Sequence, residues 1–263
     1  MTTPPEFCGL WKRNLMVSDD TRDETTVVYY LQTSSGVFAD IRIPENVLKV
    51  VSWTTDDNSL LLLSKMKGFG GTFECNMDSL VCKWNRKLDF QPTAPPDEYL
   101  PDESNFRFDG NYLIETGIHE VFEEVWERMT PLGLSTFAFH QATVNSAESL
   151  RDGILVIVGN YFIFIFNRHT DLPSASSLET IIKQELLNGN RDAALDKLQM
   201  LIEFGEISSP TTSGDWTVLY STIPNQANRS SSCLRVEWQS VSNQEESYLA
   251  AEVSWLQQLR IHK

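Results

Sequence analysis

Three Trp-x-Arg triplets, Trp11-Lys12-Arg13, Trp84-Asn85-Arg86 and Trp126-Glu127-Arg128, hold the residue types richest in binding chemistry. In a β-strand, residues two apart share a face, so each triplet would set a guanidinium beside an indole, where a cation–π contact forms. Leu15 extends the face of Trp11 and Arg13, and Cys82 and Leu88 extend that of Trp84 and Arg86. An arginine among such apolar neighbours needs a carboxylate or a bound anion, because an unpaired buried charge is expensive. Asp40, Glu115 and Glu124 are the candidate carboxylates. The pattern admits two readings. One is an internal ion-pair network that closes a barrel. The other is a polar ligand pocket built from Arg13, Arg42, Trp84, Arg86, Glu115, Glu124 and Trp126, in which Arg13, Arg42 or Arg86 holds an acid.

Signatures of catalysis are sparse. The chain has no P-loop, no G-x-G-x-x-G, no H-E-x-x-H and no G-x-S-x-G. Gly68-Phe69-Gly70-Gly71 lacks the following helix and lysine of a phosphate cradle, so a bulge or close strand packing explains it better. His119, near Glu115 and Glu120, has acid/base composition, which keeps open a small-molecule enzyme using Glu115, His119 or Glu124. No catalytic residue is assigned. Cys8, Cys75, Cys82 and Cys233 are expected as free thiols; Cys75 and Cys82 can oppose each other across a hairpin but offer too few ligands for zinc. No metal and no cofactor is expected.

Charge narrows the partners. The formal net charge is -15 with 36 acidic and 21 basic residues. Such a surface repels phosphate backbones and anionic headgroups, so neither nucleic acid nor membrane is an expected partner. Met1 to Leu10 lacks the basic and apolar regions of a secretory signal. The longest apolar run, Ile154 to Phe166, is broken by Gly159-Asn160 and is too short to cross a bilayer as a helix. These features predict an intracellular protein whose partner is a small-molecule ligand or another protein.

The elements that position these residues read mainly as β. Period-two alternation predicts strands over Thr26–Gln32 and Val37–Ile43, where Val37, Ala39, Ile41 and Ile43 alternate with Phe38, Asp40 and Arg42. Further hairpins are predicted around Asn76–Ser79, at Asp109-Gly110 and at Gly159-Asn160. Ile118, Val121, Phe122, Val125, Trp126 and Met129 fit a helical stripe, whereas a strand would place Phe122, Glu124, Trp126 and Arg128 together. Ser176 with Glu179 forms a capping box for a helix through Leu187, Asn190 starts another to Met200, and a last helix is expected over Glu245 to Arg260.

Several segments together resemble a known group. They are Leu10-Trp11-Lys12-Arg13, Ala39-Asp40-Ile41-Arg42-Ile43-Pro44, Gly68-Phe69-Gly70-Gly71, Trp84 to Pro92, Glu124-Val125-Trp126 and Asp152 to Gly159. In that order they are similar to an uncharacterised calycin-like double-barrel family that includes the yeast Hra-interacting protein and bacterial relatives. The resemblance implies two consecutive antiparallel lipocalin-like β-barrels, over residues 1–130 and 131–263, the second with a helical insertion. It also implies a cytoplasmic or nuclear protein, and a strand over Val121 to Met129 against the helical periodicity. The function it leaves open is a binding protein for a small, anionic and partly apolar ligand, with a protein–protein interaction module as the alternative.

Overall fold

In Val37–Ile43 alternate side chains are apolar on one face, yet nearly every residue is buried, so this strand must be covered on both sides. A computed structural model shows how. It describes residues 3–19, 21–50, 56–141, 152–208, 215–235, 237–241 and 260–262. The first sheet contains β1 (Gly9–Ser18), β2 (Thr21–Asp23), β3 (Val27–Gln32), β4 (Val37–Ile43), β5 (Phe69–Asn76), β6 (Val81–Asp89), β7 (Glu103–Asp109), β8 (Tyr112–Gly117) and β9 (Phe122–Arg128). Strands β3 to β9 follow one another as antiparallel neighbours, and β9 returns to pair with β1. The result is one closed eight-stranded barrel, with β2 extending the β1 edge. The segment with the helical stripe is thus strand β9, as the resemblance implies. Its polar Glu124 points into the barrel, which breaks the apolar/polar alternation that a strand normally displays.

The second sheet is formed by β10 (Thr136–Gln141), β11 (Gly153–Val158), β12 (Tyr161–Phe166), β13 (Leu201–Ser208), β14 (Asp215–Ser221), β15 (Glu237–Ser240) and β16 (Arg260–His262). Its order is β14-β13-β12-β11-β10-β15-β16, and its outer strands do not pair among the described residues. Two barrels were expected; the second sheet is not closed. The physical reason lies in how β11 and β12 bury two apolar faces. One face packs with Phe137, Phe139, Trp216 and Trp238. The other, with Ile154, Val156, Ile163 and Ile165, packs on Leu31, Ala39 and Ile41 of the first barrel's outer wall. A neighbouring wall therefore serves where a second closed barrel was expected.

Three short helices are described: α1 (Asp57–Leu63), α2 (Leu178–Leu187) and α3 (Arg191–Lys197). Asp56 caps α1 by accepting from Ser59 N, and Ser177, one residue later than expected, caps α2 by accepting from Thr180 N. The helix expected over Glu245 to Arg260 lies outside the described residues except at Arg260, which begins β16. No helix among the described residues is long and apolar enough to cross a membrane. All four cysteines are free, and Cys75 faces Cys82 across β5 and β6.

Two bulges reset the faces that alternation alone would assign. In β1 the register shifts between Arg13 and Leu15, so Met16 rather than Leu15 lies opposite Glu124. In β6, Arg86 opposes Gly71 while Leu88 opposes Gly70, so Leu88 turns outward and Arg86 stays on the inner face. Gly71 makes that bulge possible: a Cβ there would overlap the Asn85 carbonyl oxygen. Gly71→Ala is accordingly expected to lower stability by about 1–3 kcal/mol, the range for overpacking. Urea denaturation of the variant checks this, and an unchanged midpoint would contradict the bulge assignment.

Candidate functional site

The barrel is filled at one end and open at the other. At the closed end Phe7 packs on Phe73, Phe106 and Phe108 at centroid distances of 5.0, 4.9 and 5.0 Å. Trp11 joins them and donates its indole N–H to the Phe7 carbonyl at 2.8 Å. Towards the other end the aromatic filling stops, leaving a cavity of about 390 Å³. Its wall includes Tyr30, Arg42, Lys67, Phe69, Trp84, Arg86, Glu115, Glu124 and Trp126. A volume of this order suits a small organic molecule.

Cross-strand register explains the convergence. Trp126 opposes both Arg13 on β1 and Leu113 on β8, and Glu115 opposes Glu124, so these residues share the inner face. Arg13 donates to Glu124 at 2.7 Å and to Asp23 at 2.6 Å. Arg42 donates to Asp40 at 2.7 Å and to the same Glu124 oxygen at 3.1 Å. Asp40 is fully buried and also accepts the Phe69 N–H at 2.9 Å. Both buried arginines are thus compensated within the protein. Arg86 stands apart: it pairs with Asp89 at 3.0 Å and Asp102 at 2.8 Å, and its side chain is 38% exposed at the cavity rim.

The guanidinium–ring contacts cross strands rather than running along the triplets. Arg86 lies 3.7 Å and Arg42 5.1 Å from the Phe69 centroid, on a ring the sequence reading did not single out. Arg42 also lies 5.6 Å from Trp126, and Arg128 lies 4.1 Å from Trp11. Of the seven residues expected at the site, all but Arg13 line the cavity; Arg13 sits behind Glu124. The structure adds Tyr30, Lys67 and Phe69. Tyr30 was visible only as one alternating residue of a strand, and Lys67 lies outside any strand pattern, in an isolated bridge to Arg42.

Two features of the wall are unusual. The Trp126 indole N–H is buried and, among the described residues, has no acceptor within close hydrogen-bond distance; Glu115 is the group it lies beside, and the contact favours that carboxyl's charged form. Glu115 is itself pushed well above the usual carboxyl range, first by burial and then by the facing Glu124 carboxylate; Arg42 opposes the shift. The site thus favours the protonated form of Glu115, while Glu124 is the carboxyl engaged by two arginines. His119 lies outside, 3.1 Å from Glu103, in a larger groove of about 560 Å³ beyond the mouth. The Glu/His acid–base pair considered from sequence is not assembled.

The chain is similar in structure to an uncharacterised yeast protein. That protein, YLR301w of Saccharomyces cerevisiae, matches with a TM-score of 0.48 at 16% identity, over 81% of this chain and 84% of that one. At that score the likeness carries no functional argument. The calycin-like double-barrel and Hra-interacting designation implied by the resemblance is not shown by this match. No protein-family pattern and no curated protein matches the sequence.

The two kinds of arginine predict different mutant behaviour. Arg42→Met strands Asp40 in the interior and should destabilise by about 3–5 kcal/mol, the range for a broken buried pair. Arg86→Met removes a partly exposed pairing and should change stability by about 0–1 kcal/mol. Denaturant unfolding of both variants checks the contrast, and equal losses would refute the distinction.

Glu115 makes a pH prediction. A carboxyl whose pKa rises on folding keeps its proton in the native state after the unfolded chain has released it. Its contribution is full below the unfolded pKa and is lost as pH rises towards the native value. The stability of the native protein minus that of Glu115→Gln should therefore decline above about pH 4, by at most about 1.4 kcal/mol per pH unit. A difference that is flat or rising with pH would show that Glu115 is ionised in the folded protein.

Proposed function

We propose that the chain is a binding protein that takes a small, partly apolar molecule into the open half of the first barrel. The observation that carries this reading is the unfilled cavity itself, whose wall presents the rings of Tyr30, Phe69, Trp84 and Trp126, with the Trp126 N–H beside Glu115. Barrels packed only for stability fill their interior with side chains. Here that filling stops above Trp11, and Phe69, Trp84 and Trp126 present rings to the remaining space.

A calycin-like affiliation, a division near Thr130 and an intracellular setting belong to the same proposal. The closed antiparallel barrel supports the first, and the four free thiols are consistent with the last. Binding rather than catalysis is favoured because Glu124 is engaged by both Arg13 and Arg42 and His119 lies outside the barrel.

Two-dimensional NMR of the indole N–H groups tests the reading directly. Titration of the full chain with small aromatic acids, alcohols and ketones should shift the Trp126 signal saturably for at least one of them. Trp126→Phe should weaken that ligand by about tenfold, the equivalent of one hydrogen bond. If no compound moves the Trp126 signal, the cavity is not a ligand site.

A further inference from the structure

Among the described residues, Lys67 is a cation at the cavity mouth whose side chain has no ion-pair partner. It joins Arg42 through an antiparallel bridge, with N···O distances of 2.8 and 3.0 Å, so the two side chains emerge next to each other. Arg42 is engaged by Asp40 and Glu124, and Arg86 by Asp89 and Asp102. Among the described residues Lys67 makes neither an ion pair nor a side-chain hydrogen bond. The charges acting on it are those of Arg42, Arg86 and Arg13, against Glu124 alone, which two of those arginines already share. The surrounding protein, then the positive charges of Arg42 and Arg86, push its pKa down. Like-charge crowding around an accessible ammonium is relieved by an incoming anion. The acids that remain in the wall do not serve: Asp102 is bound to Arg86, and Glu120, on the segment before β9, makes no ion pair with it.

The deep end of the same cavity has a different character. There the Trp126 N–H lies beside Glu115, and burial together with the facing Glu124 favours the neutral form of that carboxyl. Arg13 and Arg42 are saturated by carboxylates, and an anion at that depth would meet Glu124. Phe69, Trp84 and Leu113 also line the cavity, with Leu113 opposite Trp126 across β8 and β9 and Trp84 5.4 Å from Phe73 of the plug. The cavity therefore carries Lys67, Arg42 and Arg86 towards its mouth and the rings of Trp84 and Trp126 at depth.

We infer, building on the binding role proposed above, that the ligand is a monoanionic organic acid bound head-out. Its oxyanion lies at Lys67 in the mouth, its body lies on Phe69 and Trp84, and an uncharged hydrogen-bond acceptor at its far end faces Trp126 and Glu115. The assignment moves the anion from Arg13, Arg42 and Arg86, where the sequence pattern suggested it, to a lysine that no pattern marked. The start of α2 contributes to the same mouth, where Ser176 and Ser177 line the opening and Leu178 N donates to Gln91 at 3.0 Å.

Calorimetric titration of the full chain with 3-(4-acetylphenyl)propionate and with its neutral amide tests the inference. The two probes share body and acceptor and differ only in charge. The acid is expected to bind at least tenfold more tightly, Lys67→Met to abolish that preference, and Lys67→Arg to retain it. Lys67 is exposed and its backbone bridge does not depend on the side chain, so both variants should unfold at the native temperature. Equal affinity for acid and amide, with the Trp126 signal still shifting, would overturn the head-out acid while leaving the cavity a binding site. An acid preference that survives in Lys67→Met would also overturn it. Binding of neither probe would overturn both the acid assignment and the cavity reading.

Discussion

Glu124 is the charge on which the upper half of the barrel depends. It lies on β9, accepts from Arg13 on β1 and from Arg42 on β4, and so ties the closing seam to the wall that faces the second sheet. Two guanidiniums inside a barrel are tolerable only because Asp23, Asp40 and Glu124 neutralise them. That arrangement has a consequence for Glu115, its cross-strand neighbour. With Glu124 committed to two arginines, a second charge directly opposite is unfavourable, which raises the Glu115 pKa alongside burial. The same constraint leaves the Trp126 N–H beside a carboxyl whose neutral form is favoured.

Both readings of the Trp-x-Arg pattern are therefore realised, by different arginines. Arg13 and Arg42 form the structural network. Arg86 sits at a rim, where its pairing with Asp89 and Asp102 is partly solvated. A barrel closed by ion pairs at the level of Arg13 and plugged by Phe7, Trp11 and Phe106 below needs no further filling above. The cavity is what remains once those two requirements are met.

Much of this was legible in the sequence, and the parts that were not share a cause. Alternation in Val37–Ile43 separated Phe38, Asp40 and Arg42 from Ala39, Ile41 and Ile43, and the barrel places the first set inside and the second against β11 and β12. Asp109-Gly110 and Gly159-Asn160 turn as hairpins, with Gly110 and Gly159 at φ of 59° and 58°. Alternation counts residues, however, and bulges insert them. The shifts after Arg13 and near Arg86 turned Leu15 and Leu88 away from their expected faces. Closure is a long-range property, so strand signals in the second half did not reveal that its sheet stays open among the described residues. Lys67 was invisible because a single bridge outside the strands leaves no periodic trace.

An ion-paired, half-filled barrel leaves a cavity of about 390 Å³ with the Trp126 indole in its wall, and the proposed ligand would lie there. A crystal structure of the full chain grown with an aromatic carboxylic acid measures this most directly. Electron density for the acid is expected between Phe69, Trp84 and Trp126, with an acceptor atom within hydrogen-bond distance of the Trp126 nitrogen. An upper barrel filled by its own side chains, with no acid bound, would contradict that placement.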